Sequence, residues 1–197
     1  MKMAFIGDSL VSCPNVSVKE GWYDQVSKAL GMDYCNNAAG GKMTLVMWGM
    51  FKMDVVDEKA DGVFLCCGIN DILLDEPLEK VKENIAGTLD KAQAAGLFSI
   101  IVGKPPLTRP ESADHGWQVP SEVAKHNAAL EEYRAWLDAE AGKRGLPLFD
   151  YEKVLQDAEK AAGKSLLQDG LHPTAEGYQA IAKAFLAQFG AQLKEQA

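Results

Sequence analysis

Met3-Ala4-Phe5-Ile6-Gly7-Asp8-Ser9-Leu10 is a short apolar run closed by a glycine, an acid and a serine. Consecutive apolar residues predict a strand buried on both faces, as in a parallel sheet. The turn after it puts Ser9 at the strand's carboxyl end, the edge where open parallel sheets build their ligand crevices. A nucleophile belongs there. A serine hydroxyl reacts only when a base takes its proton, which calls for a histidine elsewhere in the chain and a group to orient it.

The same kind of run recurs along the chain. Residues 3–7, 32–36, 62–67, 98–103 and 146–149 read as strands, and residues 21–30, 43–56, 77–95, 121–143, 151–162 and 174–193 as helices. Leu78, Val81, Ile85 and Leu89 share one helical face, as do Tyr178, Ile181, Phe185 and Phe189. Strands alternating with helices predict β/α units around a mostly parallel sheet. Residues 104–120 carry four prolines and follow a strand, so they form one wall of the crevice.

Composition bounds the function. With 197 residues, 47% of them hydrophobic, the chain can build one substantial core, and a single domain over residues 1–197 is expected. A formal charge of −8 repels phosphate backbones and anionic lipid, so nucleic acid is not an expected partner. No stretch reaches the ~18 apolar residues of a membrane span, and the amino terminus enters a strand at once, so a cytoplasmic location is expected. Of the four cysteines, Cys66 and Cys67 are adjacent in an apolar strand, point to opposite faces and read as buried free thiols.

Three histidines are candidates for the base. His115 lies in the proline-rich segment. His126 shares a helical face with Val123, Leu130 and Tyr133 and reads as a hydrogen-bonded structural residue. His172 stands in Asp169-Gly170-Leu171-His172-Pro173, where Pro173 disfavours helical geometry and Gly170 permits a tight turn. The Asp169 carboxylate can curl round to accept the Nδ1 proton of His172 and leave Nε2 for Ser9. Alternatively, Asp169 is a cap beside a surface histidine. Gly68-Ile69-Asn70-Asp71 follows the third strand and brings an amide donor, Asn70, to the edge that carries Ser9. Asn37-Ala38-Ala39-Gly40-Gly41 follows the second, where a glycine lets a backbone N–H approach a bound oxygen.

These four blocks, in this order, resemble the GDSL or SGNH hydrolase superfamily. Ser9 sits in an intact G-D-S-L, Gly41 fits the second block's glycine, Asn70 lies in G-I-N-D for the family's GxND, and Asp169 to His172 matches its DxxH. Gly40 is the alternative in block two. Gly21-Trp22 also fits a feature common in these enzymes. The resemblance implies a flavodoxin-like three-layer α/β/α sandwich with a central five-stranded sheet. It further implies a Ser9-His172-Asp169 triad and oxyanion donors from the Ser9 and Gly41 N–H groups and the Asn70 side chain. Asp8 and Asp71 brace the loops. A small-molecule ester or thioester is the implied substrate, with no metal or other cofactor.

Two other readings compete. Asp8, Asn70, Asp71, Asp169 and His172 could ligate the metals of a phosphoesterase, since carboxylates and imidazole on strand-end loops suit divalent ions. The fold could instead serve a non-catalytic binding module, a role that does not require the intact set Ser9, Asn70, Asp169 and His172. The G-x-S-x-G of α/β-hydrolases is absent. Trp117 and His115 are placed to stack on a sugar or line an acyl pocket, or else to anchor their loop.

Overall fold

The fold is taken from a computed structural model that describes residues 1–195. Its five strands are β1 (Lys2–Gly7), β2 (Asp33–Asn36), β3 (Gly62–Cys66), β4 (Ser99–Lys104) and β5 (Leu148–Asp150). All pair in parallel in the order β2-β1-β3-β4-β5, with Phe5 of β1 between Asn36 of β2 and Phe64 of β3. That order reverses direction at β1, so the carboxyl ends of β1 and its neighbours open a crevice. Every strand expected from the sequence is present, with ends that differ by one or two residues.

The helices are α1 (Ser9–Ser12), α2 (Trp22–Leu30), α3 (Thr44–Phe51), α4 (Ile69–Leu73), α5 (Leu78–Ala94), α6 (Glu111–Asp114), α7 (Val123–Arg144), α8 (Tyr151–Ala162) and α9 (Ala175–Glu195). The short helices α1, α4 and α6 have too few residues to show a period, so the sequence does not announce them. The expected helix over residues 43–56 divides into α3 and a wider π turn, Lys52–Val56. Among the described residues, no helix is long and apolar enough to cross a membrane.

Alternation along the strands divides the core in two. Met3, Phe5, Phe64, Cys66 and Phe149 face α2, α8 and α9, whereas Ala4, Ile6, Val63, Leu65 and Val102 face α3, α5 and α7. A sheet covered on both faces is the expected three-layer sandwich. Cys66 and Cys67 fall in opposite clusters, as the strand reading requires, and all four cysteines are free. Trp22 is fully buried, edge-on to Phe5 (centroids 5.3 Å) and Phe64 (4.9 Å). Its Nε1 donates to the Leu10 carbonyl at 3.1 Å, so the core holds the turn that presents Ser9.

Candidate active site

The Ser9 turn is set by Gly7 and Asp8. Gly7 has φ +145, and a Cβ there would lie 1.9 Å from the Cys66 carbonyl oxygen. Only glycine fits beside β3. Asp8 N–H donates to that carbonyl at 3.2 Å, and the Asp8 carboxylate accepts from Leu10 N–H at 3.0 Å, capping α1. Asp8 is fully buried, its Oδ2 has no hydrogen-bond partner among the described residues, and burial pushes its carboxyl up to about 7. It braces the turn. Ser9 itself is 4% exposed, and its hydroxyl lies 2.9 Å from His172 Nε2.

His172 and Asp169 close on one another as the short segment allows. Asp169 Oδ2 is 2.7 Å from His172 Nδ1, and Oδ1 accepts from the N–H groups of His172 (2.7 Å) and Leu171 (3.0 Å). A carboxylate only accepts, so Nδ1 carries the proton and Nε2 turns its lone pair to the serine hydroxyl. Burial opposes ionisation of Asp169. The bonds from His172 and Leu171 outweigh it and hold the carboxyl below its ordinary value. The left-handed Gly170 (φ +75) makes the turn, packed so closely that a Cβ would lie 2.4 Å from the Ser112 nitrogen.

The Asn70 block and the glycine block meet beside Ser9. Asn70 Nδ2 donates to the Lys42 carbonyl at 3.1 Å, which leaves its second amide hydrogen for the cleft. Asp71 accepts from Thr44 N–H at 3.1 Å and from Thr44 Oγ1 at 2.6 Å, tying α4 to the start of α3. Lys42 N–H donates to the Ala39 carbonyl, closing a turn over Gly40 and Gly41, with Gly41 at φ +71. Among the described residues, neither glycine N–H has a partner. Lys42 also pairs with Asp54 at 3.1 Å, both side chains nearly buried, and its Nζ reaches the Asn37 carbonyl. Sequence reasoning missed this pair. An acid inside the apolar 43–56 stretch was the available signal.

Residues 104–120 form a woven wall. Arg109 N–H donates to the Gly170 carbonyl at 2.8 Å, and Thr108 bonds Asn127 of α7 through both N–H and hydroxyl. Trp117 Nε1 donates to Asp169 Oδ2 at 2.8 Å, and its ring stands edge-on to His172 with centroids 4.9 Å apart. It therefore both anchors its segment and lines the cleft, two roles the sequence left as alternatives. His115 is exposed and lines no part of it. The cleft has a volume of about 310 Å³ and gathers Ser9, Gly40, Gly41, Asn70, Asp169 and His172. Asp8 and Asp71 lie behind it. Among the described residues, no three of Asp8, Asp71, Asp169 and His172 bring donor atoms within 4.8 Å of one another.

The arrangement sets the His172 imidazole against the Ser9 hydroxyl in a cleft that Gly40, Gly41 and Asn70 also line. Residues 5–180 match the model of the GDSL-like Lipase/Acylhydrolase family. An acetylxylan esterase of Geobacillus stearothermophilus is 24% identical over 96% of this chain and 94% of its own length. A lipolytic protein of the G-D-S-L family from Veillonella parvula superposes with a TM-score of 0.78 at 20% identity, covering 96% of this chain and 98% of that one. A psychrotrophic esterase from Pseudoalteromonas sp., inhibited by monoethylphosphonate, does so with a TM-score of 0.74 at 16% identity, covering 98% of each chain.

Proposed function

The chain belongs to the GDSL-like lipase/acylhydrolase family and is an ester hydrolase, and from that premise we propose that Ser9, His172 and Asp169 hydrolyse esters of short acyl groups through an acyl-enzyme. The observation that carries the reading is the unbroken chain from Ser9 Oγ to His172 Nε2 (2.9 Å) and from His172 Nδ1 to Asp169 (2.7 Å). Ser9 Oγ attacks the carbonyl carbon as its proton passes to Nε2, and ionised Asp169 stabilises the imidazolium. The oxyanion receives the N–H groups of Ser9 and Gly41 and the free hydrogen of Asn70. Collapse of the tetrahedral intermediate expels the alcohol, which takes the proton from His172. Water, deprotonated by the same nitrogen, then attacks the acyl carbon, and the second intermediate collapses to the acid as Ser9 Oγ leaves with the proton from His172.

A cleft of about 310 Å³ between Pro14, Trp117 and Leu171 supports a small acyl group, and the acetylxylan esterase similarity points the same way. A fluorophosphonate should label Ser9 once per chain, and Ser9→Ala should stay folded while losing turnover by several orders of magnitude. Labelling at another serine would refute the assignment. In a series of p-nitrophenyl esters, kcat/KM should peak at acetate to butyrate; a maximum at decanoate or beyond would refute the short-acyl reading alone.

A further inference from the structure

His126, at the amino-terminal end of α7, is 1% exposed and not part of the cleft. Its Nδ1 lies 2.7 Å from Gln118 Oε1, and the Gln118 amide already donates to Thr108 Oγ1 (2.8 Å) and Ser112 Oγ (2.6 Å). Gln118 therefore offers His126 an acceptor for an Nδ1 proton, and in the neutral ring Nε2 is then the metal-ligating nitrogen. That nitrogen is buried and has no hydrogen-bond partner among the described residues. It faces two carboxylates. Asp75 Oδ1 lies 3.4 Å away, Glu122 stands one helical turn before His126 on the same face, and one donor atom from each of the three lies within 4.8 Å of the others.

We propose that Asp75, Glu122 and His126 form a binding site for a zinc-type divalent cation, separate from the ester-hydrolysing cleft. The 3.4 Å from Nε2 to the Asp75 oxygen matches the edge of a tetrahedron around zinc, about 3.3–3.4 Å for metal–ligand bonds near 2.0–2.1 Å. One imidazole and two carboxylates suit a borderline cation, with water in the fourth position. The hydrogen bond from Nδ1 to Gln118 supplies the outer support that metal-bound histidines use to fix tautomer and ring orientation. The carboxylates already hold a cation. Lys125 Nζ sits 2.5 Å from Asp75 Oδ1 and 3.6 Å from Glu122 Oε1, on a side chain that is 58% exposed and free to swing away. A bound metal would displace that ammonium. It would then join the turn after α4, which follows Asn70 and Asp71, to the start of α7, one hydrogen bond from Gln118 and its neighbour Trp117.

Protein stripped with chelator and dialysed should bind one zinc ion per chain in calorimetric titration. Its Tm should rise by about 5–10 °C at a hundredfold excess over Kd. Asp75→Asn and Glu122→Gln should each weaken binding at least tenfold, and cobalt(II) should give the visible absorption of a tetrahedral site in the unaltered protein and in neither of these two variants. Lys125→Met, which removes the competing ammonium, should tighten binding several-fold. No saturable binding up to millimolar zinc would overturn the proposal. So would an affinity unchanged by Asp75→Asn, or a Lys125→Met variant that binds no more tightly than the unaltered protein.

Discussion

Trp117→Phe removes a single proton donor from the Asp169 carboxylate and leaves an aromatic ring against His172. In the native site Asp169 accepts four N–H groups: those of Leu171 and His172 at Oδ1, and those of the His172 ring and Trp117 at Oδ2. A hydrogen bond to a charged group contributes about 1.5–3 kcal/mol. Trp117 is 45% exposed, so water can reach the vacated oxygen, and the loss falls at the lower end of that range. About 1.4 kcal/mol is a factor of ten, so kcat/KM on p-nitrophenyl acetate should fall about tenfold, with most of the loss in kcat. Trp117→Ala also gives up the edge contact with His172. An aromatic pair adds about 0.5–1.5 kcal/mol, which puts the alanine variant near a hundredfold. The rate of fluorophosphonate labelling at Ser9 reads nucleophile activation apart from product release, and it should fall in parallel. A phenylalanine variant within twofold of the unaltered enzyme in both measurements would refute the claim that Trp117 positions Asp169.

Asp8 ties stability to pH with a sign that can be worked out. Its folded carboxyl titrates near 7 against 3.8 for an ordinary aspartate, so folding takes up a proton between those values, and stability falls as pH rises through that window. Asp8→Asn should remove that slope, by up to about 4 kcal/mol between pH 4 and 8 in urea unfolding, and parallel curves for the two proteins would reject it. Asp169, held below its ordinary value, works in the opposite direction and loses its contribution only as pH falls below about 4. Gly170→Ala sets a Cβ 2.4 Å from the Ser112 nitrogen at positive φ and should cost roughly 2–4 kcal/mol in the same assay. Asn70→Ala should lower kcat by ~10²–10³ with KM nearly unchanged, and Asn70→Gly, which eases the backbone, should stay as slow. Recovery in the glycine variant would make Asn70 a turn residue.

The fold was legible because its elements announce themselves by period: unbroken apolar runs such as Val63 to Cys67, and stripes such as Tyr178, Ile181, Phe185 and Phe189. The gathering of Ser9, Asn70 and His172 followed from their places at strand ends and on a turn ahead of the last helix. What stayed hidden has no period. The bond from Trp117 to Asp169 crosses 52 positions, and the pairing of Lys42 with Asp54 depends on a π turn that the apolar pattern of residues 43–56 does not distinguish from an α-helix. His126 read correctly as a hydrogen-bonded residue on a helix face, but its bare second nitrogen appears only once Asp75 is brought from another element.

Contacts between segments also hold the residues that the proposed oxyanion hole would use. Ala39 N–H bonds the Gly7 carbonyl, joining the segment after β2 to the end of β1. Lys42 then holds the glycine turn from two sides, its ammonium on Asp54 and Asn37, its carbonyl on Asn70. Asp71 fastens the Asn70 helix to Thr44, and Tyr133 of α7 fastens the end of β3 through the Cys67 carbonyl at 2.8 Å. Together these bonds tie the glycine turn, the Asn70 helix and the ends of β1 and β3 to one another and to α3 and α7. Donors held in this way would need no reorganisation as charge develops on a carbonyl oxygen, and that is the condition under which N–H groups lower a barrier more than water does. The supporting residues outside the four short blocks, Lys42, Asp54, Thr44 and Tyr133, therefore matter to the proposed chemistry as well as the blocks that carry its reacting atoms.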